Sequence, residues 1–250
     1  MLSFQNTKFK VFALLLLAVA IQSPLFAQKS KKFKTIFNGK NLKNWEGDTD
    51  YWRVENGIMI GEITKDKPLK SNSFLIYSGG QPSDFELKAK FKISESGNSG
   101  IQYRSERLND PKFALKGYQA DIDGRVNYTG QNYEERKRST LAYRGEKATI
   151  LTQKSGEVKD NTKNNAWQHR NVTGKTGEAQ ALKDLIKIED WNEIHIIAKG
   201  NVLQHYVNGT LMSEVTDNDT ANRSEKGSLG LQLHTGPPMK VEFKDIKIRQ

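Results

Sequence analysis

Apolar residues at every second position mark out three stretches of this chain. In Gly100-Ile101-Gln102-Tyr103-Arg104, in Tyr118-Gln119-Ala120-Asp121-Ile122-Asp123 and in Ser228-Leu229-Gly230-Leu231-Gln232-Leu233-His234, they alternate with small or polar residues. A strand turns successive side chains to opposite faces, so each stretch has a core face and a second face bearing Gln, Arg, Asp or His. Surface strands of a lysine-rich chain ordinarily carry Lys, Glu and Thr there. These carry groups suited to a polyhydroxylated ligand. Phe85–Ile93 shows the ordinary kind, with Glu86, Lys88, Lys90 and Lys92 between apolar residues. It predicts a strand with one wet and one buried face, its lysines also discouraging edge-to-edge pairing.

Shorter strands are predicted at residues 35–37, 51–54, 58–60, 74–77, 202–207 and 211–215. Asn56-Gly57 and Asn208-Gly209 lie between strand signals and predict tight hairpins, since both residues tolerate positive φ; Asn38-Gly39 is a similar turn. Val241 and Phe243 stand at odd positions but Ile246 and Ile248 at even ones. A strand with one core face changes phase only by inserting a residue, which predicts a β-bulge near Lys244-Asp245. Residues 178–188 predict a helix, with Leu182, Leu185 and Ile186 on one face. Trp191 precedes a strand and is expected in the core. Residues 128–175 form a long polar excursion, read as a functional loop over a site and anchored by Tyr128, Tyr133, Tyr143 and Trp167. Together these elements predict an all-β jelly-roll sandwich of two antiparallel sheets with one short helix, its polar faces lining a groove.

Composition adds an address. Lys8 and Lys10 precede an apolar run from Val11 to Ile21, which ends in Ser23-Pro24-Leu25-Phe26-Ala27. This is the form of a secretory signal peptide. The run is about 11 residues, short of the roughly 20 that span a bilayer. Cleavage after Ala27 is expected to leave 250 − 27 = 223 residues, 28–250, as one periplasmic or secreted domain without a membrane segment. The absence of cysteine excludes disulfides, thiol chemistry and a cysteine-linked lipid anchor. The net charge of +10 becomes 10 − 2 = +8 after cleavage, but the lysines are dispersed along strands, which argues against nucleic-acid binding.

Six motifs recur in one order: GNSGIQYR at Gly97 to Arg104, GYQAD at Gly117 to Asp121, DWNEIHIIAKGN at Asp190 to Asn201, HYVNG at His205 to Gly209, GLQLHTG at Gly230 to Gly236 and VEFKDIKIR at Val241 to Arg249. With the opening FKTIFNGKNLKNW at Phe33 to Trp45, they closely resemble the bacterial 3-keto-disaccharide hydrolase family, over essentially Phe33 to Gln250. The resemblance implies a concanavalin A-like jelly roll acting on glycosides oxidised to a ketone at carbon 3. It implies elimination of the aglycone followed by hydration, with a partner sugar dehydrogenase supplying the ketone.

The site residues are argued from this chain. A 3-keto group acidifies the hydrogen on carbon 2, so the reaction needs a base, a donor for the enolate oxygen and an acid for the leaving group. Asp121 is the expected base. Asp123, about 6.5–7 Å along the same face, would raise its pKa by like-charge repulsion. Arg104 is the expected enolate partner, His234 an acid or base, and Glu135 a further catalytic candidate. Gln102, Gln119, Asp123 and Gln232 are the expected substrate-binding residues.

Each has a plainer reading. Asp121 and Asp123 could begin a turn with Gly124, Arg104 could be an ion-pair partner of Glu106 or Asp121, and His234 could order the turn after it. Glu134-Glu135 before Arg136-Lys137-Arg138 reads as a solvated charge run, and His169, His195 and His205 as ordinary surface or strand histidines. No cofactor is implied, and the alternative is a divalent metal on Asp121, Asp123 and His234. Two other functions compete. A conventional glycoside hydrolase would need a close pair of carboxyls, and its usual Glu-x-Asp-x-x-Glu strand is absent. A carbohydrate-binding module would need exposed aromatics, for which Trp45, Trp52, Trp167 and Trp191 are available.

Overall fold

The two faces of every long strand sort by polarity, and two sheets close over the apolar ones. The computed structural model describes residues 32–153 and 156–250; the signal peptide expected at residues 1–27 lies outside them. Among the described residues, ten strands form one sheet and nine the other. The first runs Arg170–Lys175, Glu146–Ile150, Thr210–Asp217, Val202–Val207, Asn192–Lys199, Phe85–Ile93, Met239–Arg249, Ile58–Ile63, Trp52–Glu55, with Lys34–Thr35 beside Met239–Arg249. The second runs Thr162–Lys163, Ala166–Trp167, Ser139–Ala142, Asn132–Glu135, Leu115–Asp123, Asn98–Arg107, Ser228–Leu233, Ser73–Tyr77, Trp45–Glu46. Pairing is antiparallel except where Ser139–Ala142 meets Ala166–Trp167 and Glu146–Ile150 meets Thr210–Asp217. This is the jelly-roll sandwich.

Phe85, Leu87, Ala89 and Phe91 of the first sheet meet Ile101, Tyr103, Tyr118 and Leu231 of the second in one core. Each such large apolar side chain contributes about 1.5–3 kcal/mol by leaving water. The outer face of the first sheet is an ion-pair array: Lys88 with Glu193, Lys90 with Asp245, Lys92 with Glu242. Both Asn-Gly hairpins form, with φ of 50° and 79° at Asn56-Gly57 and 50° and 82° at Asn208-Gly209. The bulge also forms. Register shifts between Lys244 and Lys247, and Asp245 takes φ 54°, which returns Ile246 to the core.

Four expectations need correction. The helix covers only Ala179–Lys183. Ile186 N–H then bonds back three residues to the Lys183 carbonyl, and the Asn192 side chain clasps Lys187, so Leu182 and Ile186 are buried but Leu185 is exposed. Residues 128–175 are not one covering loop but add strands to both sheets. Those strands are short and bury polar residues such as Asn132, Glu134 and Thr140, which hides the alternation. Trp191 lies outside the core, half-buried, with Lys244 Nζ 3.9 Å and Lys92 Nζ 5.3 Å from its ring centroid.

The supposed solvated charge run is divided by the strand pleat. Glu134 and Arg138 are wholly buried, and Arg138 binds Glu134, Asp217 and Asp219, with Tyr118 donating to Asp217 at 2.6 Å. Glu135, one residue on, turns to the opposite face.

Candidate active site

Glu135 opens onto a hollow of about 180 Å³ on the outer face of the second sheet. Strand Leu115–Asp123 supplies Gln119 and Asp121, strand Asn98–Arg107 supplies Asn98, and His234 follows strand Ser228–Leu233. The segment through Asn132–Glu135 contributes Tyr128, Gln131, Tyr133 and Glu135, with Asn165 from a neighbouring turn. Cross-strand register explains the floor. Gly100 pairs with Asp121, and Gln102 with Gln119. A Cβ at Gly100 would lie 2.5 Å from Gln119 Cγ, so a glycine there lets the Gln119 side chain lie across the strand.

Asp121 sits at the centre of this floor, 6% exposed. Gln119 Nε2 donates to its Oδ1 at 2.7 Å and Gln131 Nε2 to its Oδ2 at 2.5 Å. Burial pushes its carboxyl up to about 7, against the pull of those two amides; the charges of Glu135 and then Asp123 add to the rise. The expected rise is present, but desolvation leads it. Gln102 Nε2 donates to Gln119 Oε1 at 3.3 Å, and Gln119 Nε2 lies 3.3 Å from Gln232 Oε1. Gln232 Nε2 in turn faces Glu135 Oε2 at 3.4 Å, and Asn72 donates to Glu135 Oε1 at 3.0 Å. Two amides in series therefore join the two carboxylates. Gln102 and Gln232, expected to bind substrate, are wholly buried beneath the groove-lining residues and act instead as positioning groups.

His234 Nδ1 lies 2.6 Å from the Thr235 carbonyl. A carbonyl only accepts, so Nδ1 carries the proton and Nε2 is the nitrogen presented to a ligand. Thr235 N–H also bonds to Asn72 Oδ1 at 3.0 Å, which ties the His234 turn to the residue holding Glu135.

Two further candidates do not join them. Arg104 adopts φ 47° where the register shifts between Tyr103 and Glu106, which takes it off the face of Gln102. Its guanidinium binds the Ser83 carbonyl at 2.8 Å, the Gly200 carbonyl at 2.7 Å and Asp84 at 3.1 Å, far from any role at the enolate. Asp123 turns its carboxylate to the loop after it, accepting from the amides of Asn127, Tyr128 and Thr129 at 2.8–2.9 Å. It organises the loop instead of touching a ligand. Among the described residues no group of three or more His, Cys, Asp or Glu side chains is placed to hold a metal, and Asp121, Asp123 and His234 do not converge.

Several site residues carried no sequence signal of their own. Gln131 and Tyr133 stood inside the irregular excursion; the floor of the groove is visible only after strand Asn132–Glu135 pairs with Leu115–Asp123. Burial, with the charges of Glu135 and Asp121, pushes the Tyr133 hydroxyl up to about 12, so it stays a donor at neutral pH. His205 is a strand histidine and not a surface one. It is buried behind the floor, with Nδ1 3.1 Å from the Gln131 carbonyl and Nε2 2.9 Å from Tyr103 Oη; burial drives it down to about 4, so it is neutral and props Gln131 in place.

Residues 32–249 match the 3-keto-alpha-glucoside-1,2-lyase-like domain. The chain belongs to that family. It is accordingly a carbohydrate-active protein, and the resemblance drawn from its motifs holds over the whole described domain. Among curated proteins nothing matches the chain. Two candidate glycosyl hydrolases of Parabacteroides distasonis ATCC 8503 share the family member's fold. One superposes with a TM-score of 0.56 at 18% identity, over 88% of this chain and 99% of its own. The other gives 0.53 at 21% identity, over 87% and 93%.

Proposed function

We propose that this protein cleaves 3-keto-glycosides by elimination across carbons 1 and 2 and then hydration, with Asp121 as base. The observation that carries the reading is a buried carboxyl poised near 7 at the floor of a hydrogen-bonding groove. A base with that pKa is available at neutral pH and takes a proton without a large uphill step. Asp121 removes the hydrogen on carbon 2, and the C–H electron pair becomes the enolate. The enolate collapses, the bond from carbon 1 to the leaving oxygen breaks, and that oxygen takes a proton from Nε2 of a doubly protonated His234, whose Nδ1–H stays on the Thr235 carbonyl. Water then adds its oxygen to carbon 1 of the resulting enone and gives its other proton back to His234 Nε2, and Asp121, its proton exchanged with solvent, protonates carbon 2. Net hydrolysis results.

With Arg104 committed elsewhere, the enolate oxygen meets neutral donors, the Tyr133 hydroxyl and the groove amides. Glu135, held by Asn72 and Gln232, orients ring hydroxyls. The ketone has to be installed by a separate sugar dehydrogenase, and the reading includes export to the periplasm or medium. A non-catalytic binding module is less well supported: Trp45, Trp52 and Trp167 are buried and none lines the groove. Incubating a 3-keto-glycoside with the protein in heavy water should place deuterium on carbon 2 of the released sugar. Release without deuterium, or equal activity on the unoxidised glycoside, would sink the proposal.

A further inference from the structure

The composition of the groove wall selects among sugars, an inference that rests on the groove being a sugar site as read above. Asp121 and Glu135 both line it, and among the described residues no lysine or arginine does, in a chain of net charge +10. The nearby cations are engaged by other partners. Arg144 gives its guanidinium to the carbonyls of Thr129 and Val126 at 2.8 and 3.1 Å. Arg136 is outside the lining and its Nε is paired with Glu135 Oε1 at 3.9 Å. Arg104 is bound to Ser83, Asp84 and Gly200. His234 is the one lining group able to become a cation, against two carboxylates.

We propose that the groove admits neutral and ammonium-bearing sugar rings and rejects sugar acids and sugar phosphates. A carboxylate or phosphate entering it would lose water beside two carboxylates, with no guanidinium or ammonium in the lining and the nearest one, Arg136, already paired with Glu135. A hydroxyl finds amide donors and carboxylate acceptors. An ammonium gains a charge-assisted hydrogen bond to a carboxylate.

Calorimetric titration of the full chain at pH 7.5 with methyl glucoside, methyl glucosaminide and methyl glucuronide tests this without turnover, because none of the three is oxidised. The glucosaminide should bind at least as tightly as the glucoside, and the glucuronide about tenfold or more weakly. Glu135→Gln should narrow the gap between glucuronide and glucoside. Glucuronide binding equal to or tighter than glucoside, or no binding by any of the three, overturns the inference. The comparison on the unsubstituted chain decides it even where the variant does not fold. Failure to cleave a 3-keto-glycoside, with the binding order intact, would strike the proposed reaction and leave the selectivity standing.

Discussion

Gln119 Nε2 faces two acceptors at once, Asp121 Oδ1 at 2.7 Å and Gln232 Oε1 at 3.3 Å. Its own Oε1 accepts from Gln102, so the amide has one orientation and always offers N–H to the acid. That donation holds the Asp121 carboxyl below where burial alone would push it. Gln119→Met keeps the bulk and removes the donor. The rise of kcat/KM with pH should then move upward, with kcat at pH 7 reduced more than KM is raised. An unmoved pH profile alongside a lower Tm would reduce Gln119 to packing.

Asp121 trades stability for reactivity. Folding raises its pKa from 3.8 to about 7, so between those values the native state holds a proton that the unfolded chain releases. Stability therefore falls as pH rises through that window and levels off above it. About three pKa units at 1.36 kcal/mol each put the loss at up to about 4 kcal/mol. Asp121→Asn should abolish this slope, matching the parent near pH 4 and exceeding it in stability at pH 8, while kcat drops about 10²–10⁴-fold. Urea unfolding at a series of pH values, beside single-turnover rates, reads both effects.

Tyr128 is 48% exposed at the groove, an aromatic ring presented to solvent on a fixed loop. Asp123 accepts three successive amides of that loop from one side, and Arg144 grips its carbonyls from the other. Val126 is held at φ 54°, a costly conformation for a β-branched residue that the clamp sustains. Tyr128→Ala should raise KM several-fold with kcat little changed, since a stacking ring binds substrate and transition state alike. Tyr128→Phe should restore it. Asp123→Ala should raise KM too, and lower stability by about 2–3 kcal/mol by stranding amides. A normal KM in Tyr128→Ala would remove the ring from the binding surface.

Two buried arginines separate stability from catalysis. Arg104→Met should destabilise the fold by about 2–4 kcal/mol and leave kcat/KM within about twofold, because the side chain braces Ser83, Asp84 and Gly200 away from the groove. Arg138→Met should cost about 3–5 kcal/mol by leaving Asp217 and Asp219 buried without their cation and Glu134 with Lys137 alone. Thermal unfolding and steady-state rates on the soluble protein give the comparison. A large loss of kcat in folded Arg104→Met would return that residue to the mechanism.

Period-two alternation was enough to predict the sandwich, the Asn-Gly hairpins and the Lys244-Asp245 bulge. These depend on local geometry: which face a residue takes, which residues tolerate positive φ, and how a phase change is absorbed. The same alternation put Gln102, Gln119, Asp121 and Gln232 on faces opposite the core. Motif order carried the family.

Pairing between distant strands decided the rest. Tyr133 became a site residue, and Glu135, a candidate from the sequence, was placed at Asp121, because Asn132–Glu135 lies beside Leu115–Asp123, a partnership that no local pattern encodes. Arg104 left the site through a single left-handed residue, which reverses the face of one side chain without changing the apolar pattern around it. Asp123 continues the alternation of Asp121 yet serves the loop, since its acceptors were claimed by amides four to six residues further on. Alternation along a strand states which side a residue occupies; only the neighbours across the sheet and above it decide what that residue can reach.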